Sequence, residues 1–261
     1  MWAFCVQSLF REYGWQFFLR IAVPHPVRTI KAVIGASALG FSGDMTTICP
    51  EGPKCSFGGA RSVVALGFCL KPMNPPCPSG RFNHECNHLE NLLGSDAQDI
   101  PASCQQCAIR EIGLMTLRTG TAFYIMTSAR DILLDVFAPA LKGWRFTSGI
   151  FVLCCYSLRP FAVGLLASRI RGWLFPFDKG DCRDYRTWLQ ADRGVKDEQT
   201  RINEPNRKAI SELLGIAARE APIATQFERR GNVLYPKMVP EKLHERTESA
   251  EPRCCPRNET R

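Results

Sequence analysis

From residue 62 to residue 188 the chain alternates short, continuously apolar runs with longer amphipathic stretches, and that alternation restricts the folds open to it. Residues 62–70, 122–126 and 149–155 are apolar, rich in β-branched and aromatic side chains, and short for buried helices. Between them, residues 83–93 suit a helix stopped by Gly94, and residues 105–118 suit another closed by Gly120. Ser128 and Asp131 stand at capping-box spacing, with a shorter acid at the far end, and open a helix to about Leu141. Ser157 and Pro160 start the next helix, which ends near Arg171, and Asp181 caps a last one through Trp188. Strands joined by crossover helices pair in parallel, and parallel strands without polar alternation are covered on both faces. The pattern predicts an α/β fold: a small parallel sheet with helices on both faces.

In such a sheet, ligands bind beyond the carboxyl ends of the strands. Much of the chain's supply of thirteen cysteines falls there. Cys69 ends the first strand, Cys77 and Cys86 follow it, and Cys104 and Cys107 begin a helix. Cys154 and Cys155 close the third strand, and Cys182 opens the last helix. The pair Cys104-Gln-Gln-Cys107 is the best single metal signature, because two intervening residues let both sulfurs reach one metal. The expected ligand set is Cys104, Cys107, Cys155 and Cys182. The competing set, closer in sequence, is Cys77, Cys86, Cys104 and Cys107. Many cysteines and only four histidines tilt the expected cofactor toward an iron–sulfur cluster, with zinc as the alternative. Neighbouring residues of a strand face opposite sides, so only one of Cys154 and Cys155 joins a given site. Cys154, like Cys5 and Cys49, reads as a small buried hydrophobe.

His84-Glu85-Cys86-Asn87-His88 matches the H-E-x-x-H pattern, which on a helix puts two histidines on one face with a glutamate as general base. The context opposes a zinc hydrolase: Cys86 and Asn87 are polar, and a Pro-Pro-Cys-Pro-Ser-Gly stretch precedes the motif. A surface helix with solvated histidines is the leading reading of His84 and His88, and a mixed site joining either one to Cys77 and Cys86 is a further alternative. Arg81 and Asp181 are candidates to orient a substrate, and Thr127 and Ser128 stand where a helix N-terminus receives an anion or a cap. No P-loop, G-x-G-x-x-G or G-x-S-x-G is present, which removes the usual nucleotide and hydrolase readings.

The formal net charge of +8 is diffuse, with no basic stripe interleaved with aromatics, so nucleic acid is not expected as a partner. No apolar run reaches the roughly 18 charge-free residues of a membrane span. Residues 1–21 are aromatic but carry Arg11, Glu12 and Arg20, and lack the order of a signal peptide. They suit an amphipathic helix lying on the domain, on a protein partner or on a membrane surface. An odd cysteine count without an export signal points to the reducing cytoplasm. Three zones follow: an aromatic, then Gly-rich segment over 1–60, a cysteine-rich α/β domain over 61–200, and a polar helix with a flexible tail over 201–261.

From Cys104 to Cys182 the order is C-x-x-C, helix, strand, helix, strand ending in cysteine, helix, cysteine. This layout resembles the cysteine-rich bacterial and archaeal proteins of the DUF116 family, through Cys104, Cys107, Cys155 and Cys182. The resemblance covers under a third of the chain. It implies a metal-binding role and no established reaction. The expectation is a cysteine-ligated metal protein of redox or cofactor metabolism, acting on a small molecule or with a redox partner. A zinc hydrolase using His84, Glu85 and His88, or a zinc-stabilised interaction module, are the alternatives.

Overall fold

The computed structural model describes residues 13–41, 43–50, 56–58, 61–90, 100–143, 145–218 and 224–238. Its centre is one sheet of seven strands: β1 (Thr46–Ile48), β2 (Ser62–Gly67), β3 (Ala122–Met126), β4 (Ser148–Leu153), β5 (Arg171–Pro176), β6 (Ala224–Arg230) and β7 (Val233–Met238). The spatial order is β1-β5-β4-β2-β3-β7-β6. Strands β2 to β5 are mutually parallel, while β1, β7 and β6 pair antiparallel at the two sides. The small parallel sheet expected from the sequence is thus the middle of a larger mixed one, and its strands come from all three sequence zones.

The apolar runs behave as buried parallel strands should. Every residue of β2, β3 and β4 is buried, and successive side chains serve opposite faces. Val64 and Leu66 join one hydrophobic core with Ile150, Val152 and Phe175. Val63 and Ala65 join the other with Phe151 and Leu174. Five helices of eight residues or more lie among the described residues: α1 (Pro26–Ala38), α2 (Ala108–Arg118), α3 (Cys155–Ser168), α4 (Tyr185–Asp192) and α5 (Glu204–Ala218). α2, α4 and α5 supply the first core through Ile112, Trp188 and Leu214. α1 and α3 cover the second face through Ala36, Phe161 and Leu165. They are joined there by residues 129–141, a helical segment interrupted by a π-helical turn at Leu133–Phe137. No helix of the described residues is long and apolar enough to cross a membrane.

Several elements depart from expectation, each for a physical reason. Residues 171–176, placed by periodicity between two helices, form β5. The left-handed Arg169 (φ 57°) ends α3 early and frees the apolar run after it. Cys155 does not close β4: Cys154 is the N-cap of α3 and Cys155 is its first residue, with Pro160 inside the helix. Asp184, not Asp181, caps α4, through a reciprocal capping box with Thr187. The helix expected over 83–93 is Asn87–Glu90 among the described residues, and 91–99 lie outside them. Part of the expected flexible tail is the β6–β7 hairpin. Its polar strands are tied down by Arg229, whose Nε and Nη2 donate to both Glu90 carboxylate oxygens at 2.8 and 2.6 Å. Such a forked pair holds geometry as well as charge.

Close packing of α3 depends on Gly164. A Cβ there would lie 2.4 Å from the Phe137 ring. That ring is buried and stacked edge-on against Phe161 at 5.1 Å, so it has nowhere to retreat. Gly164→Ala is expected to cost about 1–3 kcal/mol of unfolding free energy by overpacking. Urea denaturation checks it, and an unchanged midpoint would contradict this packing.

Candidate functional site

From β2 the chain leaves to one side for β3 and returns to the other side for β4, so the sheet order reverses between β2 and β4. The connections diverge at that point and leave a crevice beyond the carboxyl ends of the strands. A cavity of ≈ 90 Å³ opens there, bounded by the strand ends Gly67, Met126 and Leu153. Trp188 and Asp192 of α4 wall it on one side, and Tyr13 reaches it from the N-terminal helix Tyr13–Phe17. The lining is mostly apolar, but Cys69, Cys154 and Cys182 face it together. They come from three different strand ends, as the parallel-sheet argument requires.

Hydrogen bonds link these thiols to Trp188, Ser157 and Lys196. Indole N–H is a donor only, and Trp188 Nε1 donates to Ser157 Oγ at 2.8 Å. Ser157 Oγ lies 2.8 Å from Cys154 Sγ. Trp188 thus anchors Ser157 beside Cys154, and the Ser157 hydrogen bond draws the Cys154 pKa down. Cys154 in turn donates its thiol proton to Cys182. Lys196 Nζ reaches Cys182 Sγ from elsewhere at 3.3 Å. Cys154 and Lys196 both favour the Cys182 thiolate, and the protonated Cys182 thiol faces the Thr187 carbonyl at 3.8 Å. The Cys154 hydrogen bond is the main reason the Cys182 pKa falls to about 7; burial opposes it, and Lys196 adds to it through its charge and hydrogen bond. The same hydrogen bond, with burial, pushes Cys154 well above the usual thiol range. Burial dominates at Cys69 and pushes it up to about 11, although Lys196 and Arg81 pull it down. A free thiol is only a few per cent thiolate at neutral pH, whereas Cys182 is poised to ionise there.

The two charged candidates from the sequence have different fates. Asp181 accepts from the Cys155 backbone N–H at 3.0 and 3.2 Å and from the Cys182 N–H at 2.8 Å. Its carboxylate holds the start of α3 and the Cys182 backbone. Arg81 donates from Nη1 to the Lys196 carbonyl at 3.1 Å, while its Nε and Nη2 are buried with no hydrogen-bond partner. Cys155 is exposed, and burial together with Asp181 pushes its thiol up to about 12.

The remaining expected ligands form a second thiol group under the β2–β3 crossover. Cys86 feels the charge of Cys107 and Cys77, and Cys104 and Cys107 feel that of Cys77. Burial is the larger cause at all three, and it pushes Cys86 up to about 12. Beside them lies Lys71, only 1% exposed, whose Nζ donates to the Gly80 and Asn83 carbonyls at 3.0 and 3.1 Å and to Asn83 Oδ1. Burial lowers its pKa, and the charges of Cys77 and Cys86 oppose that. Cys104 and Cys107 thus sit with Cys77 and Cys86, while Cys182 sits with Cys154. No three Cys, His, Asp or Glu side chains among the described residues are gathered to hold a metal ion as they stand. Cys49 is disulfide-bonded and is not the inert thiol expected.

The H-E-x-x-H arrangement is not built. His84 and Glu85 precede the helix that carries His88, so the two histidines do not share a helical face. His84 Nδ1 is 2.8 Å from the Ile125 carbonyl, its ring stacks on Tyr124 at 5.4 Å, and Nε2 is 3.3 Å from Thr127 Oγ1. Thr127 and Ser128 both donate to Asp131 Oδ2, and Ser128 caps the following helix. The Ala129 N–H is taken by Asp192 Oδ1 at 2.7 Å, so that helix start has protein partners.

Sequence reasoning missed Lys196, Ser157 and Trp188 and set Cys154 aside. One signal was available: Cys154 and Ser157 stand three apart at a helix start, the spacing that lets two side chains meet across a cap. No family model, curated protein or solved structure matches the chain. The site therefore rests on its own geometry.

Ionisation of Cys182 rises with pH, so its reactivity follows. Its alkylation by iodoacetamide, followed by peptide mass spectrometry, is expected to climb through pH of about 7 and then level off. Lys196→Met and Trp188→Phe should each move that midpoint upward. A native midpoint near the ordinary thiol value of about 8.5 would contradict the assignment.

Proposed function

We propose that the protein is a thiol-dependent redox protein whose reactive pair is Cys182 and Cys154, acting on a small disulfide bound in the crevice. The observation that carries this reading is the placing of Cys182 against both Cys154 and the Lys196 ammonium at the edge of an apolar cavity. The Cys182 thiolate attacks one substrate sulfur, forms a mixed disulfide, and expels the other half as a thiolate that takes a proton. Cys154 then resolves the intermediate. Its pKa is held up mainly by the hydrogen bond it gives to Cys182. Once Cys182 is covalently bound, that cause is gone and Cys154 can release its proton and attack. The products are two substrate thiols and a Cys154–Cys182 disulfide: two electrons pass to the substrate, and an external thiol reductant restores the pair.

The test is trapping. Cys154→Ser treated with oxidised glutathione should accumulate a mixed disulfide on Cys182, while the native chain should yield the Cys154–Cys182 disulfide. Modification confined to exposed Cys155 in both proteins would sink the reading.

A second reading keeps the metal. Four thiols, Cys77, Cys86, Cys104 and Cys107, share one electrostatic neighbourhood with the buried ammonium of Lys71. Ionised together they need compensating positive charge, which a metal centre and Lys71 would supply. Since no three are close enough for a single ion as they stand, an iron–sulfur cluster, which spreads its thiolates over several metals, suits them better than zinc. Anaerobic purification should then give iron, labile sulfide and broad visible absorption, all lost in Cys104→Ser with Cys107→Ser. A colourless, iron-free native protein would remove this reading and leave the dithiol one standing.

A further inference from the structure

α1 packs with its polarity inverted. Ala32 and Ala36 face the protein, and a Cβ on Gly35 would sit 3.3 Å from Leu166, so the buried side of the helix is made of small residues. The large apolar residues point away: Val27 is 65%, Ile30 61% and Ile34 65% exposed, with Val33 beside them. Val27, Ile30 and Ile34 are spaced i, i+3 and i+7, which at 3.6 residues per turn makes one stripe. The preceding helical turns continue it, exposing Trp15, Phe18, Leu19 and Val23, with the Trp15 and Phe18 rings stacked at 5.8 Å. A water-facing helix in a soluble domain carries its large apolar residues inward, and a contiguous exposed apolar patch marks a binding surface.

Charge selects the occupant. From Tyr13 to Gly43 the chain holds Arg20, Arg28 and Lys31 and no Asp or Glu. Lys31 and Arg28 flank the apolar stripe of α1. A second copy docked through the same face would set these cations against each other. An anionic bilayer surface would accept both features, apolar side chains in the acyl boundary and ammonium or guanidinium groups among phosphates. No described helix can cross the membrane, so the pair lies in its plane.

We propose that the outward face of residues 15–34, centred on α1, docks this protein on anionic lipid bilayers. The contact shifts from the sequence expectation, which placed it on residues 1–21. Residues 1–12 lie outside the described residues, and the strongest stripe is on α1.

Sedimentation with vesicles tests it. Native protein should pellet with phosphatidylcholine vesicles containing one part in four phosphatidylglycerol, and much less with phosphatidylcholine alone. Raised salt should weaken the binding. Ile30→Ser with Ile34→Ser should lower the partition coefficient at least ten-fold, and Arg28→Glu with Lys31→Glu should erase the preference for anionic lipid. Both pairs sit at the surface, so circular dichroism and Cys182 alkylation should match the native protein. Three outcomes would each overturn the proposal: no pelleting with anionic vesicles; equal pelleting of the native and Ile30→Ser, Ile34→Ser proteins; or a native dimer in sedimentation equilibrium that this variant dissociates while vesicle binding is absent.

Discussion

The reversal of strand order between β2 and β4 is the constraint on which the rest depends. Parallel neighbours need crossovers, and crossovers that leave one strand to the left and its neighbour to the right cannot close over the strand ends between them. The cavity, the three thiols facing it and the helix starts around it all follow from that divergence. Asp181 and Asp192 then take up the backbone donors at the starts of α3 and of the segment beginning at Ala129. With those helix starts capped by carboxylates of the chain itself, the thiols are the most distinctive reactive groups facing the cavity.

The neighbours of each sulfur give those thiols their character. Two cysteines in a buried apolar site would each resist ionisation, as Cys69 and Cys86 do. The asymmetry between Cys154 and Cys182 is set from outside the pair. Trp188 anchors Ser157 beside Cys154, the Cys154–Cys182 hydrogen bond favours the Cys182 thiolate, and the Lys196 ammonium adds its charge at that sulfur. One thiol becomes the proton holder and its partner the ionisable group. Attack and resolution need that division of labour.

Much of the fold was legible in the sequence because fully buried strands advertise themselves. Residues 62–67, 122–126 and 148–153 are short, apolar and bounded by helix signals, and parallel pairing followed from their alternation. β5 has the same composition, but it was hidden by a helix end assumed two residues too late. β6 and β7 were illegible for another reason: consecutive Glu228, Arg229 and Arg230 look like a solvated tail, and only long-range contacts, the pairing of β7 with β3 and of Arg229 with Glu90, hold the hairpin to the sheet. The location of the site was legible as an edge of the sheet. Its composition was not, since the ionisation of Cys182 depends on a cysteine 28 residues before it and on a lysine in a loop without periodicity. Spacing joined Cys104 and Cys107 to Cys182, whereas the fold sends them to separate neighbourhoods.

The central claim is that Cys182 ionises near neutral pH because Cys154 and Lys196 stabilise its thiolate. Ultraviolet thiolate absorbance measures this directly, as the difference between the native protein and Cys182→Ser across a pH titration. A difference band for one thiolate with a midpoint of about 7 is the result the account gives. A band that emerges only in the range of an ordinary cysteine, or none at all, would contradict it.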